Sequence, residues 1–194
     1  PLGFVVGASG RLMKEEQHEQ TKTLSFRAED VIDYTWTASP HYISIDDEWK
    51  GVKIRILLYP DHLHFKDRFL TAIKNAMEYM EKHFEKYPYP TITLVDPPIH
   101  GLFTAAMEYP TLITTMSVCL LPKGVRAPEI LIAHEFVHQY FQQMVATNEQ
   151  EEPWMDEGMT NYYEGRIMDH YCGPRTPTID FIAVRFGTIQ SKPA

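Results

Sequence analysis

HEFVHQYFQQMVATNEQEEPWMDE, residues 134–157, carries the densest chemistry in the chain. Its first five residues set His134 and His138 at i and i+4, so on a helix both imidazoles leave one face, about 5–6 Å apart at Cβ. Two ring nitrogens at that spacing can grip one zinc ion. Glu135 lies about 100° further round the helix, beside the metal, where a carboxylate can take a proton from water that the metal activates. Glu157 follows His138 after eighteen intervening residues. That length finishes the first helix, passes a loop from Asn148 to Pro153 and opens a second helix that returns a carboxylate. Two histidines and a glutamate with an open fourth position make a catalytic rather than a structural zinc centre. One Zn2+ per chain is expected.

The alternative is an accidental HExxH on a buried helix. Between Ile130 and Val145 the apolar residues fall all round the helical wheel, so the helix is expected to be buried on most sides. Two histidines and a glutamate there are costly without an ion or hydrogen bonds to compensate. Pro128 suits the first turn, and the helix should run to about Val145. The second helix, near Asp156 to Tyr171 with Gly173 as its stop, places Glu157, Asn161, Glu164 and Met168 on one stripe. Glu164 then stands two turns past the third ligand. It is placed either to accept the free ring N–H of a liganding histidine or to serve as an ordinary surface charge. Trp154, Tyr162 and Tyr163 read as packing residues.

HEFVHQYF and WMDEGMTNYYE resemble the gluzincin aminopeptidases, the group that includes aminopeptidase N and leukotriene hydrolase. The resemblance extends to AAMEYP at 105–110 and, more weakly, to TKTLSFRAEDVIDYTW at 21–36. It implies an α+β fold: a thermolysin-like zincin catalytic subdomain over residues 60–194, truncated at its C-terminal end. Before it, residues 1–59 would be the last strands of an incomplete saddle-shaped β domain. The resemblance also implies that Glu108 binds the free α-amine of the substrate, and that Ala105 and Ala106 belong to an edge segment pairing with the substrate backbone, a task suited to unpaired amides. Ala105 stands where the family has glycine and Tyr109 where it has asparagine, while Glu164 matches a family glutamate. An oxyanion-stabilising tyrosine is expected beyond residue 194. The implied activity is zinc-dependent release of N-terminal amino acids from peptides, with Glu135 as general base. Alternatives are a zinc endopeptidase, an epoxide hydrolase or a non-catalytic scaffold of the same fold. Expected partners are a peptide with a free N-terminus and the remaining domains of a parent chain.

Composition sets wider bounds. The 194 residues are 44% hydrophobic, enough for one sizeable core or one and a half domains. With 18 Lys and Arg against 26 Asp and Glu, the net charge of -8 argues against nucleic acid as a main partner. No run approaches a membrane span. Cys119 and Cys172 make no disulfide framework, and the compartment is left open. The chain starts with Pro and shows no signal segment, so it reads as a piece of something longer. Strands are expected at Phe4 to Val6, Thr21 to Phe26, the alternating Ile32, Tyr34 and Trp36, and Val52 to Tyr59, with a turn at Gly7 to Gly10. The acidic runs Asp46 to Glu48 and Glu149 to Glu152 read as solvated loops. Asp67 to Tyr87 has a 3.6-residue apolar stripe and should form an amphipathic helix ending before Pro88. Thr91 to Val95 reads as a short buried strand, Thr111 to Met116 is β-prone, and Ile179 to Phe186 is the start of a further helix. Histidines 62, 64, 83 and 100 lack partners at ligand spacing and are expected on the surface or in packing.

Overall fold

The computed structural model describes residues 1–98, 106–116 and 125–173. Its centre is a sheet in the order β5-β6-β7-β8, from Ile43–Trp49, Val52–Leu58, Thr91–Val95 and Leu112–Thr114. β5 and β6 form an antiparallel hairpin, whereas β6, β7 and β8 run parallel. Parallel strands need covered faces, and their sequences show it. Val52, Ile54, Ile56 and Leu58 of β6 join Ile92, Leu94 and Ile113 in the main core. Leu57, Val95 and Leu112 point the other way and pack with Tyr42.

Helix α1, Lys66–His83, crosses the main-core face between β6 and β7. It buries Phe69, Ala72, Ile73, Ala76, Met77, Tyr79 and Met80, the stripe expected from its periodicity, and ends four residues earlier than anticipated. A 3-10 turn over Pro60–Phe65 leads into it. Helix α2, Ala127–Phe141, packs beside α1 with Pro128 in its first turn. Ile132, Ala133, Phe136, Val137 and Tyr140 are all 1% exposed or less, so the near-complete burial expected from its wheel is present. Chain atoms continue as turns from Gln142 to Val145 rather than as helix. Helix α3, Met159–Cys172, follows a π-turn at Trp154–Gly158 and lies against α2; Gly173, with φ at 88°, stops it.

Four strands precede the sheet. β1, Val5–Ala8, pairs with β4, Trp36–Ser39, and β2, Arg11–Gln17, pairs with β3, Lys22–Arg27. Gly10 makes the corner between β1 and β2 at φ 83°, where a Cβ would stand 2.2 Å from the Arg27 carbonyl oxygen. Ile32 and Tyr34 are exposed and irregular, so the expected alternating strand shrinks to β4. The acidic run Asp46 to Glu48 lies within β5, not in a loop. Hydrogen bonds from β6 to β7 also cross the division expected at residue 59. The expected helix at 179–186 falls outside the described residues, as do Ala105, His100 and Cys119. No helix among the described residues is long and apolar enough to cross a membrane.

Candidate metal centre

The α2 spacing delivers both imidazoles to one point. His134 Nε2 and His138 Nε2 are 3.1 Å apart. Glu157, on the π-turn, places Oε2 3.4 Å from His134 Nε2 and Oε1 3.8 Å from His138 Nε2. These three residues form a group whose ligand atoms all lie within 4.8 Å of one another. A helix that opened normally would rotate Glu157 differently; the wider π-turn precedes α3 and carries this carboxylate at its fourth residue.

The far side of each ring is also occupied. His134 Nδ1 is 3.0 Å from Glu164 Oε2 on α3, the partner anticipated from the helical stripe. His138 Nδ1 is 2.5 Å from Asp156 Oδ1, with Thr160 Oγ1 at 3.2 Å. Asp156 is 2% exposed and His138 1%. Sequence reading missed Asp156, and its only signal was a second acidic residue beside the expected ligand. With both Nδ1–H groups donating to carboxylates, the two Nε2 lone pairs face each other. Two lone pairs at 3.1 Å need a cation between them, either a proton or a metal ion. Burial works against a proton on His134, but hydrogen bonds that its ring donates to Glu157 and Glu164 outweigh it and lift the pKa to about 10. The donor set, two imidazole nitrogens and a carboxylate with oriented rings, fits zinc.

Glu135 is 3% exposed, and burial raises its carboxyl to about 8 against the lowering influence of His134 and His138. Glu108 follows Met107, which bridges antiparallel to Thr114 and so extends the sheet one step beyond β8. Burial raises the Glu108 carboxyl as well, opposed by His138. Glu108, His138 and Asp156 make a second group of ligand-type atoms within 4.8 Å, so Glu108 stands at the same centre as the histidines. Sequence-distant residues 108, 134, 135, 138, 157 and 164 are thus brought together. Ala106, two residues before Glu108, is half-buried. Two glutamines, Gln139 of α2 and Gln143 in the turn that follows it, were also overlooked; both are buried and bond to the backbone around Glu108.

The Peptidase family M1 domain profile matches residues 69–190, from α1 past the end of α3. The chain belongs to peptidase family M1. Among M1 relatives, it is 29% identical over 128 residues to glutamyl aminopeptidase of Homo sapiens, covering 62% of this chain and 13% of that protein. It is 34% identical over 121 residues to endoplasmic reticulum aminopeptidase 2 of Homo sapiens, covering 59% of this chain and 12% of the relative. Glutamyl aminopeptidase of Bitis rhinoceros is 25% identical over 154 residues, 74% of this chain and 16% of its own. The chain therefore spans about one eighth of the length of these curated M1 relatives. M1 membership agrees with the gluzincin resemblance read from the motifs, and the observed α+β architecture agrees with it too.

Proposed function

We propose that this chain carries the zinc centre of an aminopeptidase that releases N-terminal amino acids from peptides. One observation carries the reading: two imidazoles, His138 buried and His134 half-buried, present Nε2 atoms 3.1 Å apart, each ring already fixed through Nδ1 by a carboxylate, with a third carboxylate alongside. His134, His138 and Glu157 would hold one zinc ion. When bound, zinc supplies concentrated positive charge that polarises a peptide carbonyl and acidifies water.

The remaining chemistry belongs to the side chains around it. Glu164 and Asp156 hold the Nδ1 protons, so both rings keep the tautomer that leaves Nε2 as a donor to metal. Glu135 takes the proton of the attacking water and returns it to the leaving amine. Glu108 accepts charge-assisted hydrogen bonds from the substrate's α-ammonium, which counts the cut one residue in from the chain end. The bridge at Met107 leaves Ala106 at the outer edge of the sheet, suited to pairing with an extended substrate backbone. Residues 60–194 then act as a thermolysin-like catalytic subdomain, and residues 1–59 as the end of a preceding saddle-shaped β domain. M1 relatives named as aminopeptidases support this reading over an endopeptidase, an epoxide hydrolase or a scaffold.

The test separates binding from chemistry. Glu135→Gln should retain one zinc per chain while turnover of an aminoacyl amide falls roughly 100- to 10,000-fold. A variant that is metal-free or fully active sinks the assignment. Equal cleavage of free and N-acetylated peptides by the unaltered protein would remove the aminopeptidase reading while sparing the metal site.

A further inference from the structure

The segment that carries Glu108 is fastened to the zinc helix by side chains, and the fastening has one centre. Gln139 Nε2 donates to the carbonyl oxygens of Glu108 and Tyr109, each at 3.1 Å, while its Oε1 accepts the Thr111 N–H at 2.8 Å. Gln143, in the turn just past the end of α2, donates to the same Glu108 carbonyl at 2.7 Å. Gln139 is fully buried and Gln143 is 6% exposed.

Thr111 explains why the segment needs holding. Its φ is 60°, a left-handed conformation that a β-branched residue avoids. Every polar atom of Thr111 is engaged by a different element: N–H by Gln139 of α2, O by Thr93 N–H of β7 at 2.9 Å, and Oγ1 by Gly10 N–H of the β1–β2 corner at 2.6 Å. Backbone strain survives where surrounding bonds over-determine it. Here the bend at Thr111 turns the chain from the edge segment into β8, and Glu108 sits three residues before it. Gln139 follows His138 on α2 and leaves the helix about 100° round from it, so the bend is held beside the face that bears the histidines.

We propose that Gln139 and Gln143 are positioning residues that fix the distance between the Glu108 carboxylate and the metal centre, and so set the enzyme's demand for a free α-amine. This rests on the aminopeptidase reading of Glu108. Neither glutamine touches substrate. They act by holding the Glu108 and Tyr109 carbonyls and the strained Thr111, so that the carboxylate does not drift from the ligands. In a site of this kind, displacement of a binding group by about 1 Å is enough to cost on the order of 100-fold in rate.

The test uses the zinc-loaded protein in its full natural length, an aminoacyl amide and its N-acetylated counterpart. Gln139→Leu should keep zinc content, raise KM for the free-amine substrate on the order of tenfold and shrink the free-amine over acetylated ratio of kcat/KM by a similar factor. Combined with Glu108→Ala, it should add no further loss on the free-amine substrate, since both changes remove the same contact. An unchanged ratio in Gln139→Leu, or a loss that multiplies with that of Glu108→Ala, overturns the positioning role. Gln143→Leu removes one bond only and gives the same readings if Gln139→Leu does not fold. A Glu108→Ala variant with its free-amine preference intact would instead show that the role given to Glu108 is wrong, and the positioning proposal falls with it.

Discussion

Asp156 and Glu157 are neighbours in sequence with opposite surroundings. Asp156 is 2% exposed and engages the His138 ring, whereas the Glu157 side chain is 55% exposed beside the same ring. Replacing Asp156 with Ala should leave the three metal ligands in place but free the His138 tautomer, lowering zinc affinity roughly 10- to 100-fold; competition with a chelating dye measures it. Tyr140 gives a different residue-scale expectation. Its hydroxyl is buried and has no hydrogen-bond partner among the described residues, and burial, with Glu81 and Glu85 nearby, raises its pKa. Tyr140→Phe should therefore be neutral or stabilising by about 1 kcal/mol in urea unfolding, because an unmet buried hydroxyl carries a penalty of about 1–3 kcal/mol. The histidines and Glu135 were legible in the sequence because helical spacing alone sets their relation. Asp156 and Gln139 were not, since their partners are chosen by how α3 and the edge segment dock, and neither spacing nor period encodes that. His62, expected at the surface or in packing, takes the packing role, buried with its Nδ1 against Asp96, a partner 34 residues away that spacing does not mark.

Helices were read more fully than strands. α1 announces itself through apolar periodicity and α2 through the His134–His138 spacing and Pro128 in its first turn, but β5 hides behind charge. Its sequence ISIDDEW alternates in burial, and Asp47, on the less exposed side, meets Lys74 Nζ at 2.7 Å. The acidic run is a strand because that carboxylate finds a partner on α1 and its neighbours face water. β2 is similar: RLMKEEQ is mostly exposed and is held by ladder bonds to β3 rather than by a core. The junction between α1 and α2 yields a prediction at this scale. Arg68 donates from Nε and Nη2 to the two Glu129 oxygens at 2.8 and 2.7 Å, and from Nη2 to the Val125 carbonyl at 2.7 Å. Glu129 is 9% exposed. Arg68→Ala leaves that carboxylate with only Arg126 Nη1, at 3.5 Å, and should cost roughly 1–3 kcal/mol, less than a buried charge left wholly unpaired. Arg68→Met with Glu129→Met should restore much of it, which thermal unfolding of the single and double variants would show.

Across the whole molecule, the sheet divides two environments. Helices cover one face with the main core, and on the other a cleft of about 570 Å³ opens between β6, β7 and the β1–β3 strands. The metal centre lies at neither, but at the edge where β8, α2 and α3 meet. That placement was only partly readable: the resemblance implied an edge strand carrying Glu108, while the crossing of residue 59 by the β6–β7 ladder depends on long-range pairing. Proximity in sequence has its own consequence. His134, His138, Asp156, Glu157, Thr160 and Glu164 all fall between residues 134 and 164, so one ion staples a single short stretch of chain, whereas the strands of the sheet are joined by contacts that never involve it. Local opening and global unfolding should therefore part company when the ion is removed. Amide hydrogen exchange after chelation should quicken through Trp154–Cys172 and the last turn of α2, while β6 and β7 keep their slow rates; uniform acceleration across both would mean that the metal holds the entire fold.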